Sequence, residues 1–194
     1  MLRALVPQRP LSPFETLRIA ELQANRLLEH FEIHTDAVPA EMVSELPRIR
    51  VVPELGLPMS GSAHWDGHFW LIALNADEHP LRQRFSLMHE FKHVIDHTTK
   101  QRLYADRPFQ SAQAQAERVA DYFAACLLMP KRVVKRLWCR GTQNIDQLAE
   151  QLQVSPAAVR YRLDQLGLTE ERSRCTWRGP VRPAPSPTFA EVSQ

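Results

Sequence analysis

Two histidines four residues apart, His89 and His93, with Glu90 beside the first, are the residues whose types and spacing promise chemistry. On a helix, residues four apart project from one face, one turn above the other. Their imidazole nitrogens then both reach one ion at about 2.0–2.1 Å. Glu90 stands one step round the helix, unable to share that position but placed to take a proton from water held there. Chance puts this spacing in roughly 2% of chains of such length and composition, so coincidence explains it poorly. The bland alternative is a helix with two solvated or core histidines. Against it, Phe85, Leu87, Met88, Phe91, Val94 and Ile95 mark the helix as mostly buried. Two buried imidazoles beside a buried carboxylate are costly without a metal or close partners. Zinc suits these donors best, with manganese as a second choice.

A catalytic zinc takes three protein ligands and keeps one position open. His97 lies eight residues beyond His89, about 12 Å along a straight helix, too far for both to reach one ion. Asp96 also stands where longer motifs of this kind turn the chain with a glycine. His97 is therefore expected beside the site or in a structural role. Glu117 is the better third ligand. Asp121 follows one turn later on the same face, where it can accept the free N–H of a ligating imidazole and fix its tautomer. The same Glu-x-x-x-Asp pattern is also what an ordinary exposed polar stripe looks like. For the donor that a tetrahedral oxyanion wants, Tyr104, Tyr122, His64 and His68 are the candidates.

These residues need elements to position them. Ser12-Pro13-Phe14-Glu15 is a capping box with proline at the first helical position, and Leu17, Ala20, Ala24, Leu27, Leu28 and Phe31 continue it at helical spacing. A short helical piece is expected over 39–46. Strands are expected over 48–52, 62–65 and 68–75, the last two joined by a tight turn at Asp66-Gly67. Helices are expected over 81–97, from 112 until Pro130 stops it, and over 131–140, 144–152 and 156–166. Residues 1–11 read as a loose leader. The segment 169–194, rich in proline and arginine with little apolar surface, reads as disordered.

Composition narrows the class. The chain has 194 residues, 44% hydrophobic and 24% charged, with a net charge of +2, a balance that neither requires nor excludes nucleic acid. The longest apolar runs, 70–74 and 123–129, are far short of a membrane span. Three cysteines without a paired spacing fit reduced thiols and a cytoplasmic location. Near the end, Ser155-Pro156 opens a helix after a short turn, a spacing like a helix-turn-helix whose second helix carries Arg160, Tyr161 and Arg162. Lys131, Arg132, Lys135, Arg136 and Arg140 add a basic cluster upstream. Phosphate contact is one reading of these residues. A solvated helix face, or a surface that docks a protein, is the other.

Segments 82–97 (RQRFSLMHEFKHVIDH), 116–130 (AERVADYFAACLLMP) and 145–167 (IDQLAEQLQVSPAAVRYRLDQLG), with the hairpin ending at Leu74-Asn75, resemble the ImmA/IrrE family of metallopeptidases over residues 14–168. The resemblance implies an α+β, zincin-like domain over 12–141, with a small three-stranded sheet packed on helices. Helix-turn-helix-like helices would follow over 142–168. It implies zinc held by His89, His93 and Glu117, with Glu90 as catalytic base. The chain departs from the family at Lys92, where glycine is usual, and at Asp121, where asparagine is usual. Asp121 still offers an acceptor, so its supporting role survives. The implied function is regulatory proteolysis of a protein substrate such as a helix-turn-helix transcriptional repressor. The alternatives are a metal-containing antirepressor that binds without cleaving and a DNA-binding regulator.

Overall fold

The computed structural model describes residues 1–168, and the expected disordered segment 169–194 lies outside the described residues. Helix α1 (Pro13–His30) starts where the capping box places it. The Ser12 hydroxyl accepts the Glu15 N–H at 3.3 Å and the Glu15 carboxylate accepts the Ser12 N–H at 2.8 Å. Strands β1 (Ile49–Glu54), β2 (Gly61–Trp65) and β3 (Trp70–Asn75) follow, then α2 (Pro80–Asp96), a single turn α3 (Lys100–Leu103), α4 (Ala112–Leu128), α5 (Lys131–Cys139), α6 (Ile145–Leu152) and α7 (Pro156–Leu166). The fold is α+β, a small mixed sheet with seven helices among the described residues. The expected piece over 39–46 is a short 3-10 turn, Ala40–Val43. No helix among the described residues is long and apolar enough to cross a membrane.

The sheet order is β1-β3-β2. Strand β3 lies in the middle, parallel to β1 (Ile49 opposite Trp70) and antiparallel to β2 (Gly61 opposite Leu74). Strand β2 is thus an edge. Its connection to β3 is wider than the expected two-residue turn. The Asp66 carboxylate accepts the N–H groups of His68 and Phe69 at 2.7 and 2.6 Å, and Asp66 N–H donates to the Phe69 carbonyl. An aspartate that bonds forward two and three residues stabilises a four-residue loop over 66–69 instead. The inner face of β3, Ile72 and Leu74, enters the core against α2.

Helix α4 is the centre of the helical layer, packed against α1 on one side and α2 on the other. Its buried residues include Ala116, Ala120 and Ala124, small side chains that let neighbouring helix axes approach closely. The rings of Phe91 on α2 and Phe123 on α4 pack with centroids 6.3 Å apart.

Residues 1–11 are packed rather than loose. Leu2–Leu5 forms a 3-10 turn, and Val6 and Leu11 are buried. The Arg3 guanidinium donates to the carbonyls of Val94 and Ile95, each at 2.9 Å. Those carbonyls belong to the last turn of α2, whose acceptors have no partner within the helix. A cation there also suits the helix dipole. No periodic pattern marks such a segment, because its role is set by the distant helix end it covers.

Lys92 points inward and is wholly buried. Its ammonium donates to both oxygens of the buried Asp96 at 2.5 Å, and the Tyr104 hydroxyl donates to the same carboxylate at 2.5 Å. Burial pushes the lysine toward its neutral form, and Asp96 pulls the other way. The cluster ties the last turn of α2 to the end of α3. Breaking one half of such a pair leaves the other charge buried and unmatched, which costs about 3–5 kcal/mol. Lys92→Met should therefore lose stability of that order in urea unfolding. The triple change Lys92→Met/Asp96→Leu/Tyr104→Phe, which removes both charges and the hydroxyl, should recover most of it. A single variant as stable as the parent would show that the pair imposes no such constraint.

Candidate metal centre

Helices α2 and α4 cross so that the face carrying His89 and His93 meets the face carrying Glu117 and Asp121. His89 Nε2 lies 3.1 Å from His93 Nε2 and 3.1 Å from Glu117 Oε2, and His93 Nε2 lies 3.6 Å from the same oxygen. The Nδ1 of His89 lies 2.8 Å from Asp121 Oδ1. A carboxylate cannot donate, so the proton of neutral His89 sits on Nδ1 and is given to Asp121. That leaves the Nε2 lone pair aimed at the other two donors. Three lone pairs converging in this way need a shared cation or proton between them.

The spacing fits an ion. Ligands at about 2.0–2.1 Å around a tetrahedral centre stand roughly 3.3 Å apart, and the three separations here bracket that value. The electrostatics point the same way. Burial works against a charged His89, but the hydrogen bond and charge of Asp121, with Glu90 and Glu117, outweigh it and raise its pKa. His93 moves down, through burial first and the neighbouring His89 second. The carboxylates thus build a negative field around two imidazoles, a surrounding in which a positive ion is welcome. The side chains of His89 and His93 are 17% and 25% exposed, against 46% for Glu117, so the donors grade from the interior toward solvent. Gln113, one turn before Glu117, donates to its other oxygen and holds the carboxylate in place.

Glu90 faces the same cleft, an opening of about 820 Å³. Burial, and then the charge of Glu117, push its pKa up against the pull of His89. It is crowded by the start of β2. A Cβ built on Gly61 would come within 3.1 Å of Glu90 Cγ and 3.3 Å of the Ala73 carbonyl. Glycine there leaves room for this close approach, without a special backbone conformation. From that point the edge strand β2 runs along the cleft through Ser62 and Ala63.

Other candidates fall differently. His97 is outside the donor cluster and packs edge-on against Trp70, with ring centroids 4.9 Å apart. Tyr104 lines the cleft, but its hydroxyl is occupied by Asp96. Tyr122, His64 and His68 are absent from the cleft lining, and burial with Cys126 pushes the Tyr122 hydroxyl up to about 12. Arg162 is a correction. It is buried, with Nε donating to the Met129 carbonyl at 3.0 Å and Nη1 to Gln165 Oε1 at 2.9 Å, so it cannot meet a phosphate. Arg160 stays exposed. In the basic cluster, Arg132 donates to the Ile33 carbonyl and Arg136 pairs with Asp36. Sequence reasoning missed Gln113, which the four-residue helical spacing before Glu117 could have revealed. Tyr161, read there as part of a face for phosphate or for a docked protein, lines the cleft.

Comparison with known proteins follows this geometry. A peptidase family model, described as the IrrE N-terminal-like domain, matches residues 45–164. A search of curated proteins finds no match. Among solved structures, the chain is similar in fold to a Mycobacterium tuberculosis transcriptional regulator. The two share 21% sequence identity and superpose with a TM-score of 0.63, over 75% of this chain and 55% of that one. The chain thus spans about half the length of that protein. With the family model matched across most of its length, and through both helices that carry the convergent donors, the chain belongs to the IrrE N-terminal-like domain family.

Proposed function

We propose that this chain is a regulatory zinc-dependent endopeptidase. His89, His93 and Glu117 hold the metal, Asp121 orients His89, and Glu90 is the general base. The carrying observation is the convergence of three lone pairs beside a half-buried carboxylate in an open cleft. Two imidazoles and a carboxylate favour zinc over manganese, which prefers more oxygen. A zinc ion in that position supplies Lewis acidity, lowering the pKa of water and polarising a carbonyl.

The chain's own residues do the rest. Glu90, held against Gly61, takes a proton from the attacking water and returns it to the departing amine nitrogen. Glu117 is held in place by the Gln113 amide, and Asp121 accepts from His89. The free edge of β2 offers backbone donors and acceptors to an extended peptide, which supports a polypeptide substrate. A protein such as a helix-turn-helix repressor is the substrate class we favour. The family resemblance supports that choice, and the fold neighbour is itself a transcriptional regulator.

Glu90→Gln should retain one zinc per chain by elemental analysis yet cut turnover of a candidate repressor by at least about 100-fold. Wild-type turnover in that variant would remove Glu90 as base. Release of repression without cleavage, equal in both proteins, would instead make the chain an antirepressor that acts by binding. Asp121→Ala should weaken zinc about 10–100-fold in a chelator competition, because His89 loses the acceptor that holds its ring. Unchanged affinity would separate Asp121 from the metal.

A further inference from the structure

Helix α7 is bound to both helices that carry the convergent donors. From α2, Arg84 donates to the Gln153 carbonyl at 3.1 Å, just before α7, and to the Val38 carbonyl at 2.8 Å. From α7, Arg162 donates to the Met129 carbonyl at the end of α4, with its guanidinium 6.0 Å from the Tyr122 ring. Both arginines use their planar forks on backbone acceptors. The result is a fixed wall. Ala157, Ala158 and Tyr161 of α7 border the same cleft as His89, His93 and Glu117.

The opposite wall is a stripe on α2. Leu81, Phe85 and His89 follow one another at four-residue spacing, and all three line the cleft. Leucine and phenylalanine from α2 and two alanines and a tyrosine from α7 thus give this arm of the cleft an apolar lining, with Arg82, Ser86 and Ser155 as polar neighbours. The alanines leave room, and Tyr161, 42% exposed, is a large aromatic left open to solvent at the rim. The stripe ends on a donor of the cluster. Four residues, about 6 Å along the helix axis, separate Phe85 from His89, a distance a side chain flanking a peptide carbonyl held at that cluster can span.

We infer that this arm is a specificity subsite for a large apolar side chain flanking the scissile bond, with Tyr161 setting the preference. The inference rests on the metallopeptidase reading above. It gives the helix-turn-helix-like pair a role in selecting the substrate instead of contacting nucleic acid. Burying a charged side chain against these apolar groups costs its hydration, so an apolar one is preferred there.

The test uses the zinc-loaded full chain and isothermal titration calorimetry with hydroxamates. Acetohydroxamate is the anchor control, with no side chain to place. Two further series carry a methyl, isobutyl or benzyl side chain on one or the other side of the chelating group. In one series the isobutyl or benzyl compound should bind at least about tenfold more tightly than the methyl compound, from apolar burial alone. Tyr161→Ala should bring that ratio below about threefold. So should Ala157→Phe, an exposed position where the larger ring fills the arm without disturbing the core. Anchor binding with no side-chain preference in either series overturns the subsite. A preference that persists in both variants overturns it too. No binding of acetohydroxamate overturns the metal reading beneath it.

Discussion

The convergence of lone pairs from two helices is the constraint around which the rest is arranged. Nitrogen and oxygen donors about 3 Å apart repel unless a positive charge sits among them, so their approach must be enforced by packing elsewhere. Helix α4 provides that enforcement. Its alanines bring it close to its neighbours, and Phe123 packs against Phe91, two residues from each histidine. A site of this kind tolerates errors of about 0.5 Å, which loops seldom achieve and packed helices do. The sheet and α1 then act as buttresses, one on each side of the α2–α4 pair.

Charge burial near the site follows from the same constraint. Lys92 occupies the turn of α2 between the two histidines and points away from the cleft, into the core. A full charge there is a poor source of net stability, because desolvation cancels most of the attraction. What the Lys92–Asp96–Tyr104 cluster adds is geometry. Three polar groups that can satisfy one another in only one arrangement lock the end of α2 to the segment entering α4. The cluster thus gives definition to the helix that carries two of the three convergent donors.

Much of the helical scaffold was legible from residue types. Proline and serine mark the starts of α1 and α7, Pro130 marks the end of α4, and four-residue spacing shows which residues of α2 and α4 share a face. The meeting of those faces was legible only through resemblance, since Glu-x-x-x-Asp alone reads equally well as a solvated stripe. The strand order was not readable, because β1 pairs with β3 across an intervening strand and no local pattern encodes a partner. The leader was misread for a related reason. Arg3 serves carbonyls more than ninety positions away, and an arginine in a short segment looks the same whether it meets water or a helix end.

Arginines in α7 carry this point furthest. Arg160 and Arg162 both fit a recognition helix by spacing, yet two residues along a helix is about 200° of rotation, so they cannot share a face. One must turn inward if the other is free. Arg162 turns inward and joins α7 to α4, while Arg84 joins the preceding turn to α2. Once both joints are made, α7 cannot swing away to enter a groove in DNA without breaking hydrogen bonds to backbone acceptors, the one from Arg162 buried. The face it presents instead, Ala157, Ala158 and Tyr161, is apolar and opens onto the cleft. A helix pair that could read phosphates by sequence is by packing committed to the neighbourhood of the convergent donors, and its apolar face has the chemistry of a substrate wall.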